Sequence, residues 1–165
     1  MKELKLVRAT KKDSSMFARI KAEAYADDRQ KTTLLPNETP KWYYGEFYVG
    51  LGKFNETEAI RLIEQMESYM ILLADQPIGI VWLHKEEETS LTIEDFCILP
   101  EYQGNGYGTT VLTLIEELHP LNKQWLLTTP AFCKRNRHLY EKNGYVQIGT
   151  CSDATVIIYQ KTLSQ

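Results

Sequence analysis

The sequence predicts an α/β chain around a mostly antiparallel sheet, and three observations carry that expectation. Helix-like and strand-like hydrophobic periods interleave along nearly the whole length. Three consecutive strand-like runs are separated only by turn-length gaps, the spacing that antiparallel pairing needs. The later strands are separated by helices, the only places where parallel pairing is open. The 165 residues are expected to form a single domain spanning 1–165, and 43% hydrophobic with 25% charged residues suits a packed core rather than disorder.

The first strand is read over Glu3 to Ala9, where Leu4 and Leu6 alternate with lysines. Thr10 to Asp13 is polar and able to cap a helix that carries Met16, Phe17, Ile20, Ala24 and Tyr25 at helical spacing. Residues 32 to 54 contain Pro36, Pro40, Gly45, Gly50 and Gly52, which disfavour a long regular element. Asn55 can cap a helix from Glu56 to Ser68 with Ile60, Ile63 and Met66 on one face. Strands follow at Tyr69 to Ala74, Ile78 to His84 and Thr89 to Leu99, with turns at Asp75-Gln76-Pro77 and at Glu86-Glu87-Glu88. A helix from Gly106 to Leu118 bears an apolar stripe of Val111, Leu112, Leu114, Ile115 and Leu118, ended by His119-Pro120. A short buried strand, Gln124 to Thr129, precedes a helix from Lys134 to Asn143 that Gly144 stops. Tyr145 to Ile148 and Thr155 to Lys161 complete the pattern as strands.

Charge and composition exclude several function classes. Nineteen Lys and Arg against 22 Asp and Glu leave a formal charge of −3, so no global basic field draws nucleic acid or an anionic membrane. The N-terminal stretch lacks an apolar run of signal-peptide length, and no run is long enough to span a bilayer. Cys97, Cys133 and Cys151 are odd in number and widely spaced, which argues against a disulfide framework or a zinc site and for a reduced, cytoplasmic setting. His84, His119 and His138 show no ligand-like spacing, so no metal is expected.

The chemistry is written between Ile98 and Thr109. A strand ends, a turn with Gly104, Gly106 and Gly108 follows, and a helix begins. A helix start presents unpaired N–H groups and partial positive charge, and glycines let a ligand approach that backbone closely. The combination suits an anion, most naturally a pyrophosphate. It is neither a P-loop, because no Lys follows Gly108, nor a dinucleotide fingerprint, because the spacing is GxGxG.

The run Gln103-Gly104-Asn105-Gly106-Tyr107-Gly108 resembles the Q/R-x-x-G-x-G/A signature of the GNAT superfamily of acetyl-CoA-dependent N-acetyltransferases, and Leu99-Pro100 stands before it as an apolar–Pro pair does there. Downstream, Asn136 to Tyr145 is similar to the family's N-x-x-x-Y-x-x-x-G-F/Y motif. The resemblance extends over roughly residues 3 to 161. It implies a mixed, mostly antiparallel central sheet with helices on both faces, and acetyl-CoA as acyl donor. The amides of Gln103, Gly104, Asn105, Gly106, Tyr107, Gly108 and Thr109 would hold the pyrophosphate. Ile98, with Leu99 nearby, would pair with the pantetheine arm, Asn136 would hydrogen-bond it, and Tyr140 would reach the sulfur.

An amine attacking a thioester leaves a thiolate that needs a proton, and a tyrosine hydroxyl can supply one without being ionised at neutral pH. Tyr140 is the expected general acid. A strand N–H near Cys97 or Ile98 is expected to stabilise the developing oxyanion. The amine must shed a proton, and Glu94 or Asp95 could accept it, Glu94 being slightly favoured. The apolar alternation slips between Leu91–Ile93 and Phe96–Ile98, the mark of a β-bulge. Six of the 18 aromatics fall within residues 32 to 54. Trp42, Tyr43, Tyr44 and Tyr48 either wall an amine-acceptor site, Trp42 and Tyr44 foremost, or cover the core or a homodimer face. The expectation is direct acetyl transfer to a primary amine in a ternary complex; the rival is a noncatalytic acyl-CoA-binding sensor or scaffold.

Overall fold

The computed structural model describes residues 2–32, 56–151, 154 and 156–164, the backbone alone for 25–32. The elements, in order, are β1 (Leu4–Arg8), α1 (Ser14–Thr32), α2 (Glu56–Gln65), β2 (Glu67–Leu73), β3 (Gln76–Glu87), β4 (Ser90–Ile98), α3 (Tyr107–Leu118), β5 (Gln124–Pro130), α4 (Lys134–Lys142), β6 (Val146–Cys151) and β7 (Val156–Thr162). They build a seven-stranded sheet in the order β1-β2-β3-β4-β5-β7-β6. Every neighbouring pair is antiparallel except β4 with β5. The parallel pair occurs where α3 lies between the strands in sequence, as a crossover demands.

Alternation along the strands feeds two cores. On one face Phe17, Ile20, Leu62 and Ile63 of α1 and α2 pack on Met70, Ile80, Trp82, Cys97 and Leu99. On the other, Val111, Leu112 and Ile115 of α3 and Tyr140 of α4 pack on Ile71, Val81, Leu83, Ile93, Trp125, Leu127 and Tyr159. Helices therefore flank both faces of a mostly antiparallel sheet, as expected.

The differences from the sequence reading have local causes. The helix expected to run to Ser68 ends at Gln65, because pairing with β3 starts β2 at Glu67; its buried residues are Ala59, Leu62 and Ile63, so of the expected face of Ile60, Ile63 and Met66 only Ile63 is buried. The first hairpin turns at Ala74 and Asp75, with φ of 49° and 66°. Two successive left-handed residues match the right-handed twist of the flanking strands, so Gln76 and Pro77 belong to β3 and Ile78 becomes an extra residue opposite Ile71 and Leu72. The second turn holds only the end of the acidic run: Glu86 and Glu87 extend β3, Glu88 and Thr89 make the turn, and β4 begins at Ser90. Leu118, counted in the stripe of α3, is 50% exposed at the end of the helix's last turn.

Two features position the site. The predicted bulge lies at Glu94: Trp82 pairs with Asp95 and Leu83 with Ile93, leaving Glu94 as the additional residue. Parallel pairing of β4 with β5 runs only from Ser90 to Ile93 against Gln124 to Leu127 and stops at the same place. Beyond it the two strands line opposite sides of a cleft.

Candidate active site

The cleft has a volume of about 460 Å³ and is walled by β4 from Ile93 to Ile98, β5 from Leu127 to Pro130, the 102–109 turn and α4. Its floor follows from strand geometry. Leu99 N–H donates to Ile78 O at 2.8 Å, so Gly79 and Ile98 form the pair whose own peptide groups face outward. The N–H and C=O of Ile98 thus point away from β3, into the gap. The Ile98 carbonyl accepts Gln103 Nε2 at 2.8 Å, while Gln103 Oε1 accepts from the Arg135 guanidinium. One side chain therefore ties the end of β4 to the first turn of α4.

The glycine turn has two different requirements. Gly104 and Gly106 have φ of 77° and 82°, a region side chains disfavour, and a Cβ on either would meet nothing within 4 Å. Conformation, not crowding, explains these glycines, and the space above them is open. Gly108 is helical, and its Cβ would lie 3.0 Å from Leu139 Cδ2, so it sets how closely α3 approaches α4. Gly106 is the N-cap of α3 and no side chain caps the helix. The first amides of α3 accordingly lack intrahelical acceptors beside the cleft, the arrangement that receives an anion. Asn105 does not line the cleft; its Nδ2 donates to the carbonyls of Tyr102 and Gln103, both at 3.1 Å, and stiffens the turn. Gln103, Gly104, Gly106, Tyr107, Gly108 and Thr109 do line it.

Tyr140 lies on α4, 7% exposed, with its ring edge-on to Tyr145 at 5.8 Å and 6.1 Å from Tyr159. Burial pushes the Tyr145 hydroxyl well above the usual tyrosine range, with Glu116 and Tyr140 adding to it, so Tyr140's neighbour stays neutral. Asn143 holds α4 against α3, donating to Thr109 Oγ1 at 3.2 Å and to Leu139 O at 2.7 Å. Asn136 lines the same wall, its Nδ2 3.5 Å from the hydroxyl of buried Thr129.

Opposite stands Glu94, which the bulge turns into the cleft. Loss of water raises its carboxyl above the ordinary value; His84 opposes this, while Glu86 and Asp95 reinforce it. Asp95 is differently placed. Its Oδ2 lies 3.2 Å from Lys21 Nζ, and its Oδ1 accepts Phe96 N–H at 2.8 Å and Cys97 Sγ at 3.4 Å. An acid so thoroughly paired is the poorer proton acceptor.

Two expectations need correction. The N–H of Cys97 does not face the cleft: Cys97 pairs with Ile80, and its carbonyl lies where a Cβ on Gly79 would be, 2.4 Å away, so its peptide groups belong to the ladder with β3. Leu99 does not line the cleft either; its N–H serves Ile78 and its side chain joins the core under α1. Trp42 and Tyr44 lie outside the described residues. The sequence reading passed over Lys21 and Arg135. Lys21 had a signal, a lone charge in the stripe of Phe17, Ile20 and Ala24; Arg135 had only its place one residue before Asn136.

A model of the GNAT acetyltransferase domain matches residues 66–147, from just before β2 into β6, taking in the bulge, the glycine turn and α4. The chain belongs to the GNAT acetyltransferases. This acetyltransferase shares its fold with the PaiA N-acetyltransferase of Thermoplasma acidophilum, crystallised with coenzyme A, at a TM-score of 0.78, 14% identity, and coverage of 98% of this chain and 99% of that one. An acetyltransferase of Thermus thermophilus superimposes at 0.72 with 15% identity, covering 97% of each chain. PH1933 of Pyrococcus horikoshii OT3 does so at 0.71 with 16% identity, covering 99% of this GNAT chain and 100% of its own. No curated protein matches the sequence. Among the described residues no helix is long and apolar enough to cross a membrane, and no three His, Cys, Asp or Glu are grouped to hold a metal ion.

Proposed function

We propose that the chain is a cytoplasmic N-acetyltransferase that moves the acetyl group of acetyl-CoA to a primary amine by direct attack in a ternary complex. The observation that carries this is the alignment of two backbone features along one cleft: the outward-facing peptide groups of Ile98 and the uncapped amides of α3. A donor with a diphosphate at one end and an amide-bearing arm at the other matches both. The amides from Gln103 to Thr109 would receive the diphosphate, and Ile98 and Asn136 the arm. Coenzyme A in the Thermoplasma acidophilum relative supports that assignment.

In the reaction the amine nitrogen bonds to the acyl carbon, the carbon–sulfur bond breaks, and the sulfur leaves with the electron pair. Tyr140 donates its hydroxyl proton to that sulfur. The N–H of Ile98 is the strand donor available to the carbonyl oxygen as charge gathers there. Glu94 accepts a proton from the incoming ammonium, and its raised pKa brings it nearer to working pH. Cys97, buried and bonded to Asp95, serves packing rather than nucleophilic catalysis, which favours transfer without an acyl-enzyme. Trp42 and Tyr44 are proposed to wall the amine site.

A panel of primary amines assayed with acetyl-CoA for release of free thiol, alongside calorimetric titration of coenzyme A, tests this reading. Amine-dependent thiol release is expected. Tight binding with no release for any amine would favour the noncatalytic module, and no binding at millimolar coenzyme A would end both readings.

A further inference from the structure

Lys21 is a buried cation in an apolar helix stripe. It is 8% exposed, in the same stripe as buried Phe17, Ile20 and Ala24. Such a residue is costly to bury unless its charge is paired and hydrogen-bonded. Its Nζ lies 3.2 Å from Asp95 Oδ2 and 4.4 Å from the centre of the Trp82 ring. Trp82 is the residue opposite Asp95 across β3 and β4, at the register step that expels Glu94. The other Asp95 oxygen takes Phe96 N–H, the amide immediately after the bulge. One ion pair thus clamps α1 to β4 at Asp95, immediately after the extra residue Glu94.

We propose that Lys21 and Asp95 are a positioning pair that holds the bulge, and with it the aim of Glu94 and the electric field around its carboxyl. This rests on the reading of Glu94 as proton acceptor. Among the described residues the charged and titratable groups acting on Glu94 include His84 and Glu86 from β3 and Asp95 from β4, with Lys21 of α1 beside Asp95; the same cleft is lined by Tyr102 and Tyr107 of the turn and by Arg135, His138, Tyr140 and Lys142 of α4. The two charges are opposite in sign and act on Glu94 in opposite directions, so removing either one changes the field at its carboxyl.

The consequence is a pair of opposite shifts. Lys21→Met removes a positive charge beside Asp95 and raises the Glu94 pKa. Asp95→Asn keeps an acceptor for Phe96 N–H, removes a negative charge next to Glu94 and lowers that pKa. The double variant removes both charges and falls between them, without stranding a buried ion. The experiment measures pH–rate profiles of kcat/KM and the NMR titration of the Glu94 side-chain carboxyl, assigned with Glu94→Gln, in each variant and in Lys21→Arg. The single variants are expected to move the acid limb and the carboxyl titration by about half a pH unit in opposite directions. Lys21→Arg stays near the parent. For Lys21→Met, kcat falls about tenfold with the KM for acetyl-CoA unchanged, as expected when a reacting group loses its aim. Shifts in the same direction, or none, overturn the proposal. Opposite carboxyl shifts that the rate profile does not follow leave the pair's effect intact and overturn the role of Glu94 as base.

Discussion

Tyr140→Phe removes a single atom and keeps the ring, which packs on Tyr145 and Tyr159 through faces and edges that phenylalanine retains. Tyr140→Phe should lower kcat about 100-fold, leave the KM for acetyl-CoA nearly unchanged and keep the thermal midpoint. Steady-state kinetics beside a melting curve checks this, and an unchanged kcat with chemistry rate-limiting would remove Tyr140 from the reaction. Gly106 makes the opposite kind of test. At φ of 82° an added methyl is strained although space is open; Gly106→Ala should cost roughly 1–2 kcal/mol of stability and weaken coenzyme A binding measured by calorimetry. The turn was legible in sequence because glycine spacing reports backbone conformation directly. Glu94 was legible for a related reason, since a slipped alternation is a property of the pattern itself. Lys21 was not read, because whether a lysine in an apolar stripe is buried depends on a partner far along the chain.

At the level of elements, the site is a product of how β4 is held. Its ladder to β3 fixes which peptide groups of Phe96 to Leu99 look inward, and at Gly79 that ladder leaves no room for a side chain. A Cβ there would lie 2.4 Å from the Cys97 carbonyl and 2.9 Å from Ile71 Cδ1. The carbonyl is backbone and cannot step aside, so Gly79→Ala should cost about 1–3 kcal/mol in urea denaturation. It should also weaken coenzyme A binding, since Ile98 is the register partner of Gly79. Existence and order of the elements were readable because periodicity survives tertiary packing. Their ends were less so: the α2–β2 junction, the Ala74–Asp75 turn and the length of β3 are decided by pairing across strands, which a single run of residues does not carry.

For the molecule as a whole, acid stability should lean on one cluster remote from the described cleft. Burial opposes ionisation of Glu67, but the Tyr69 hydroxyl, the His119 ring and Arg8 outweigh it and hold the carboxyl below its ordinary range. His119 Nε2 lies 2.7 Å from Glu67 Oε1, with Nδ1 2.8 Å from Ile115 O, so the cluster fastens the end of α3 to β2. A carboxyl depressed in the folded state stabilises fully above its unfolded pKa and loses that contribution as pH falls through the folded value. Melting curves below about pH 5 should therefore drop less steeply for Glu67→Gln than for the parent. The short parallel ladder of β4 and β5 has a wider consequence. The sheet is two half-sheets joined by a seam only as long as Ser90 to Ile93, and a donor arm lying along Ile98 would lengthen that seam as a guest strand. Substrate would then act as a structural member: amide hydrogen exchange should slow across both half-sheets when it binds, not only where it touches.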